Sequence, residues 1–310
     1  MDCSIVPLRH KGLFTVSTTD FFYPLVEDPF IQGKIACANV LSDQYAMGID
    51  ICDNLLMILG ASNDMKLEDR TIVTKKMIEG FNEQAKIAGT SVTGGQTVLN
   101  PWPIIGGVAM STITEEEMIR PENARVGDLL ILTKPLGTQV VVNLHQWLVS
   151  RPQRWEIVQK VIEREEAMEA YFKAIKSMMR LNRNGAKLMH KYKAHAATDV
   201  TGFGIMGHAN NLAKNQKEKA LCFLIDTLPI IAKMDIVEEN QNHPFKLLKG
   251  LSAETSGGLL IAIPPENAEL FIEEIQKLDN EPAWIIGRVV KNGHQENIAK
   301  FAEDIKIINY

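Results

Sequence analysis

The sequence predicts a two-domain α+β protein. Three observations carry that expectation. The chain has 310 residues, against about 100–200 per domain. Helical and strand periodicities mix in both halves rather than segregating. The composition, 45% hydrophobic and 23% charged, is that of an ordinary globular chain and excludes general disorder.

The elements follow in order. Leu13 to Thr19 is β-branched and aromatic and reads as a strand that closes at Asp20 and feeds a site. Ile31, Ile35, Ala38, Leu41 and Tyr45 form a helical stripe within Ile31 to Gly48. Leu55 to Leu59 is a buried strand. Val73, Met77, Phe81, Ala85 and Ala88 give a second helix, with Gly89 as its stop. Thr90 to Val98 and Ile104 to Thr112 read as strands, the first interrupted by Gly94-Gly95. Pro121, Gly127 and the charges between Glu115 and Asp128 place a boundary near residue 120. The expected division is therefore 1–120 and 121–310. Beyond it come a strand at Leu129 to Leu132, a Gly137 turn, helices over 138–149 and 156–192, and a turn-rich segment from Ala194 to Gly204. A strand at Leu221 to Ile225, a helix at Ile230 to Glu239, and strand, helix and strand at Leu259 to Ile263, Ala268 to Leu278 and Trp284 to Val290 complete the chain.

Several classes are excluded. A net charge of −5 offers no global attraction to nucleic acid. The longest apolar runs, Leu129 to Leu132 and Leu259 to Ile263, fall far short of the ~20 residues that span a bilayer, so no membrane partner is expected. Met1-Asp2-Cys3-Ser4 shows no secretory leader. The four cysteines, at 3, 37, 52 and 222, have neither CxxC spacing nor zinc-ligand partners. Reduced thiols in a cytoplasmic protein are the expectation.

Asp2, Asp20, Asp43 and Asp199 stand among small or apolar neighbours, where a carboxylate is costly to bury without a cation or strong hydrogen bonds. Together they would suit Mg²⁺, which takes few protein ligands and completes its shell with phosphates. Taken singly, each also reads as a cap or strand-end residue. Thr93-Gly94-Gly95-Gln96-Thr97 offers amides and hydroxyls for phosphate oxygens, and Thr201-Gly202-Phe203-Gly204 could open a helix facing an anion; either can equally be a plain turn. His195 and His208 flank the Asp199 segment and read as structural or as ligand-orienting. Cys37 and Cys52 read as small core residues. No Walker A loop, GxGxxG fingerprint or GxSxG elbow is present.

These same residues resemble selenophosphate synthetase (selenide, water dikinase). The likeness runs in order through Met1-Asp2-Cys3, Thr18-Thr19-Asp20, Ile35 to Asp43, Gly89 to Trp102, Leu132 to Gln139, His195 to His208 and Glu254 to Leu260. Gln96 is closer to the eukaryotic branch. The resemblance implies synthesis of selenophosphate from ATP, selenide and water, with release of AMP and orthophosphate, for selenocysteine biosynthesis. It also implies a fold similar to aminoimidazole ribonucleotide synthetase, with N-terminal domains pairing into a β-barrel homodimer. By the same likeness, 1–120 is the ATP- and Mg²⁺-binding and dimerisation domain and 121–310 a C-terminal α+β domain. Asp2, Asp20, Asp43 and Asp199 match the Mg²⁺-holding aspartates. Met1, Asp2, Asp20, Asp43, Gly94, Gly95, Gln96 and Thr97 match nucleotide contacts. The family's glycine-rich segment with a catalytic cysteine or selenocysteine and a lysine has no counterpart in this sequence. No catalytic residue is therefore assigned, and the chain as given is expected to form little selenophosphate. The alternatives are another ATP-using member of the superfamily, of the aminoimidazole ribonucleotide synthetase or thiamine-monophosphate kinase type, or a non-catalytic ATP-binding dimer.

Overall fold

The computed structural model describes residues 2–310. In chain order the elements are β1 (Ser4–Pro7), β2 (Phe14–Phe22), α1 (Pro29–Ala46), β3 (Asn54–Ser62), α2 (Leu67–Ile87), β4 (Val92–Asn100), β5 (Ile104–Ile113), β6 (Leu129–Leu132), α3 (Thr138–Ser150) and α4 (Pro152–Val158). They continue with α5 (Arg164–Met179), α6 (Arg183–Lys191), β7 (Ala196–Asp199), α7 (Gly204–Lys214), β8 (Leu221–Ile230), α8 (Met234–Asn240), β9 (Leu259–Ile263), α9 (Pro265–Asp279), β10 (Trp284–Lys291) and β11 (Ile298–Asn309). The chain forms two compact units. The first holds the chain up to Met118 together with Met179–Lys187; the second holds Ile119–Met178 and Leu188–Tyr310.

The first unit is a five-stranded sheet, ordered β1-β2-β5-β3-β4, antiparallel except for β3–β4. Strand alternation turns Leu55 and Leu59 of β3 and Ile105 and Ala109 of β5 toward α1 and α2, where they join Val40, Leu41, Met77 and Phe81 in one core. α1 starts where Asp28 accepts from the amides of Phe30 (2.8 Å) and Ile31 (3.2 Å), with Pro29 at its first position. The segment 179–187 belongs to this core through Leu181 and Ala186. It is tied on by Gln84 to the Met179 carbonyl (2.7 Å) and Arg183 to the Asp50 carbonyl (2.9 Å).

The second unit carries a six-stranded sheet, β11-β8-β10-β6-β9-β7, parallel only at β11–β8. All five residues of β9 are buried, so both of its faces are covered, which is why it reads as an unbroken apolar run.

Several expectations need correction. β2 continues through Asp20 to Phe22, because Asp20 pairs with Gly107 and Phe21 with Gly106, which leave room beside it. β4 passes through Gly94-Gly95 without a break; one register slip against Leu55 and Leu56 absorbs Thr93. The segment Ala194 to Gly204 contains the buried strand β7 and ends on the first residue of α7. The helical stretch 156–192 is three helices, and β8 continues to Ile230, shortening the following helix to α8. β1 and β11 had no clear periodic signal.

Candidate functional site

In the first unit the site begins as a strand-to-helix seam. Val16, Thr18, Asp20 and Phe22 alternate onto the α1 side of β2. Two strand residues advance about 6.6 Å and one helical step of four about 6.0 Å, so such pairs stay in register. Accordingly Thr18 donates its hydroxyl to Asp43 Oδ2, and Asn39 Nδ2 donates to Asp20 Oδ2 at 3.3 Å. Neighbouring polar groups extend the seam: Gln44 Nε2 reaches the Val16 carbonyl (3.5 Å), Ser111 donates to Gln44 Oε1 (3.3 Å), and Asn182 donates to Ser42 Oγ (3.0 Å). Glycine is required beside it, since a Cβ at Gly106 would lie 2.0 Å from the Asp20 carbonyl oxygen. Both aspartates are half-buried, and carboxylate oxygen is the hard donor that Mg²⁺ takes.

Asp2 lies two residues before Ser4, which pairs with Ser17, so the β1–β2 register carries it toward the Thr18–Asp20 end of β2. Met1 falls outside the described residues. Gly94, Gly95, Gln96 and Thr97 are all exposed on β4, the sheet's edge strand. Gly95 has φ +144°, and a Cβ there would lie 1.9 Å from the Met57 carbonyl oxygen. Only glycine serves at that position.

Asp199 is the last residue of β7 and is 2% exposed. The loop after it is held from several directions. Val200 donates its amide to the Gly258 carbonyl (2.9 Å), and the Thr201 carbonyl accepts from the amides of Gly204 (3.0 Å) and Glu254 (3.0 Å). His208 Nε2 accepts from the amides of Thr201 (3.0 Å) and Phe203 (3.4 Å), which makes the imidazole the neutral tautomer protonated on Nδ1. Burial lowers the His208 pKa, with Asp199 opposing. The start of α7 is also closed by protein, because Met206 donates its amide to the Gly250 carbonyl at 2.9 Å. The Thr201–Gly204 segment therefore opens a helix but spends these amides internally. His195 has a structural role: its Nδ1 meets the buried Asp128 carboxylate at 2.9 and 3.0 Å.

Two residues escaped the sequence reading. Glu254 is buried, accepts from the amides of Gly137 (2.7 Å) and Thr138 (2.9 Å) and from the Thr138 hydroxyl, and so caps the first turn of α3. Burial pushes its carboxyl up to about 7, against the pull of these donors. Lys134, 1% exposed, donates to the Ser256 carbonyl at 2.6 Å. The only signal was a charged residue inside Leu132-Thr133-Lys134-Pro135 and inside Ala253-Glu254-Thr255-Ser256-Gly257-Gly258. The structure thus gathers the 132–139, 197–204 and 254–258 segments around Asp199's loop. Gly257 makes this possible, since a Cβ there would lie 1.9 Å from the Val200 carbonyl oxygen.

Asp20 and Asp43 are members of the first unit and Asp199 of the second. Among the described residues no three His, Cys, Asp or Glu side chains form a ready-made metal cage. A pre-built zinc-type centre is absent there, whereas Mg²⁺ relies on substrate oxygens and water for most of its shell. Cys37 and Cys52 are buried and free, and burial raises both thiols, as expected of core residues.

These two α+β units and their oxygen-rich segments define an AIR-synthase-type protein. Residues 1–113 match the model of the AIR synthase related protein, N-terminal domain, and 125–300 that of its C-terminal domain. The thiamine monophosphate kinase structure from Aquifex aeolicus has the same fold, with a TM-score of 0.64 at 19% identity over 95% of this chain and 89% of that one. Within that class the likeness narrows. Selenide, water dikinase of Dictyostelium discoideum is 56% identical over 99% of this chain and 85% of its own length. Selenide, water dikinase 2 of Homo sapiens is 54% identical over 99% of this chain and 69% of its own. The chain belongs to the selenide, water dikinase family.

Proposed function

We propose that the protein uses ATP and water to convert selenide to selenophosphate, releasing AMP and orthophosphate. The observation that carries this reading is the identity of 54–56% to selenide, water dikinases across 99% of the chain. The three segments around the Asp199 loop are among those that carried the sequence resemblance.

The residues present fit Mg²⁺ by their chemistry, being hard-oxygen carboxylates, of which Asp20 and Asp43 are oriented by Asn39 and Thr18. Asp2, Asp20, Asp43 and Asp199 would hold it, and bound Mg²⁺ would neutralise charge on the transferring phosphates. The protein's own contribution is positional. Thr18 and Asn39 aim Asp43 and Asp20, since each donates to a carboxylate oxygen and fixes its orientation. Gly94, Gly95, Gln96 and Thr97, together with Met1, are assigned to nucleotide contact. The exposed β4 backbone supports this for the four strand residues.

A homodimer built through the first unit is part of the same reading. β4 is an exposed edge, and the sheet face turned from α1 and α2 carries Leu56, Ile58, Val108 and Met110, half-buried, with Phe21 and Val98 more than half exposed. A second copy pairing there into a β-barrel would remove edge and apolar face together. On this reading the functional division is 1–120 for ATP, Mg²⁺ and dimerisation and 121–310 for the C-terminal α+β part. No described helix is long and apolar enough to cross a membrane, and the free cysteines suit the cytoplasm. Calorimetry with Mg²⁺ and the ATP analogue AMPPNP tests the site. Asp43→Asn and Asp199→Asn should each weaken binding; unchanged affinity in both would defeat the shared-site reading.

A further inference from the structure

Glu254 is a carboxylate buried without a cation among its observed donors, which are two backbone amides and a hydroxyl. Such a group is poor material for stability alone. A buried charge recovers its desolvation cost only in part, and a well-packed apolar residue commonly does as well or better. What Glu254 does is geometric. Its side chain is seated on the first turn of α3, the positive end of that helix. Its own backbone amide donates to the Thr201 carbonyl at 3.0 Å, two residues beyond Asp199. Three residues on, Gly257 presses against the Val200 carbonyl, and the Gly258 carbonyl takes the Val200 amide. Gln139 holds the approach to Glu254, its Oε1 accepting from the Ala253 amide (3.0 Å) and the Ser252 hydroxyl (3.2 Å). The segment 252–258 therefore bridges the start of α3 to the backbone that follows Asp199, and the Glu254 carboxylate is its anchor at the α3 end.

We propose that Glu254 is a positioning residue of the Mg²⁺–nucleotide site, setting the loop that presents Asp199. This rests on the reading that Asp199 serves Mg²⁺–ATP. A positioning residue and a purely structural cap differ in what their loss does to binding. If it only stabilised α3, its loss would weaken nucleotide binding with and without metal alike. If it positions Asp199, the loss falls on the metal-dependent part.

The test uses the whole chain and its Glu254→Gln variant. Glutamine keeps the shape but turns an NH₂ donor toward an amide or hydroxyl donor, leaving one buried donor unmatched. Thr138→Val, which keeps the carboxylate and removes the hydroxyl together with the long 3.3 Å bond it accepts from the Thr255 amide, is the milder second variant should Glu254→Gln fail to fold. Hydrogen exchange of the 199–204 amides and calorimetric binding of AMPPNP with and without Mg²⁺ are measured together. An unmatched buried donor corresponds to about tenfold. Exchange in 199–204 should therefore accelerate by about that factor in Glu254→Gln and by less in Thr138→Val, and Mg²⁺-dependent affinity should fall similarly while metal-free affinity holds. Unchanged exchange, or equal losses with and without Mg²⁺, would overturn the proposal. Asp199→Asn in parallel separates the two claims. If it leaves Mg²⁺-dependent binding intact, the metal reading fails and the positioning role with it. If it weakens binding while Glu254→Gln does not, the positioning role alone fails.

Discussion

Asp43 shows how a carboxylate comes to sit in an apolar helix. Its turn of α1 faces Thr18, whose hydroxyl supplies a donor, while Ser42 and Gln44 on either side find Asn182 and Ser111. Asp43→Asn keeps the shape and loses the charge, so the fold should persist while Mg²⁺-dependent binding weakens; circular dichroism and calorimetry check the pair. Thr18→Val removes the donor that orients the Asp43 carboxylate. It should lower affinity less than Asp43→Asn does, by about 1 kcal/mol for one lost hydrogen bond. Glu254 makes a pH-dependent prediction. Its folded-state pKa, about 7, lies above the ordinary 4.5, so between these values the native protein binds a proton that the unfolded chain does not. The stability from this group is complete below 4.5 and is lost as pH rises through 7. Urea unfolding across that window should show the slope in the parent and a shallower one in Glu254→Gln. The aspartates stand out in the sequence as candidates because each is a lone charge among small or apolar residues. The sequence could not expose Glu254, whose role depends on a helix start 116 residues away.

At the scale of elements, legibility followed length and burial. α1 and α2 declared themselves by periodic stripes, α2 also by its Gly89 stop, and β9 by an unbroken apolar run. β1 and β7 have four residues each, too few for a period to emerge. β11 carries charges among its apolar residues because it is an edge strand, which blurs its alternation. The glycines of β4 read as a break; in fact they let the strand run close against Met57. Gly95→Ala adds a methyl where the Met57 carbonyl stands and demands a φ of +144°. It should destabilise the first unit by at least about 1–3 kcal/mol and impair nucleotide binding, with denaturant midpoints and calorimetry as the measurements. Unchanged stability would mean that β4 does not need its glycine backbone.

For the whole molecule, both the two-unit α+β organisation and the family were legible, because the resembling segments recur in order along the chain. The return of 179–187 to the first unit was not, since that segment shares its helical periodicity with its neighbours and joins the first core only through Leu181 and Ala186. The apolar outer face of the first sheet predicts a dimer, with light scattering giving twice the 34.6 kDa chain mass. Phe21→Lys with Val98→Lys should shift it toward monomer by placing charge on that face. The central claim concerns chemistry, and the product of ATP turnover tests it most directly. Phosphorus NMR of the protein with ATP, Mg²⁺ and selenide should show AMP and orthophosphate as the products of ATP, at whatever rate, together with a selenophosphate resonance. Accumulation of ADP as the end product, without selenophosphate, would contradict the account.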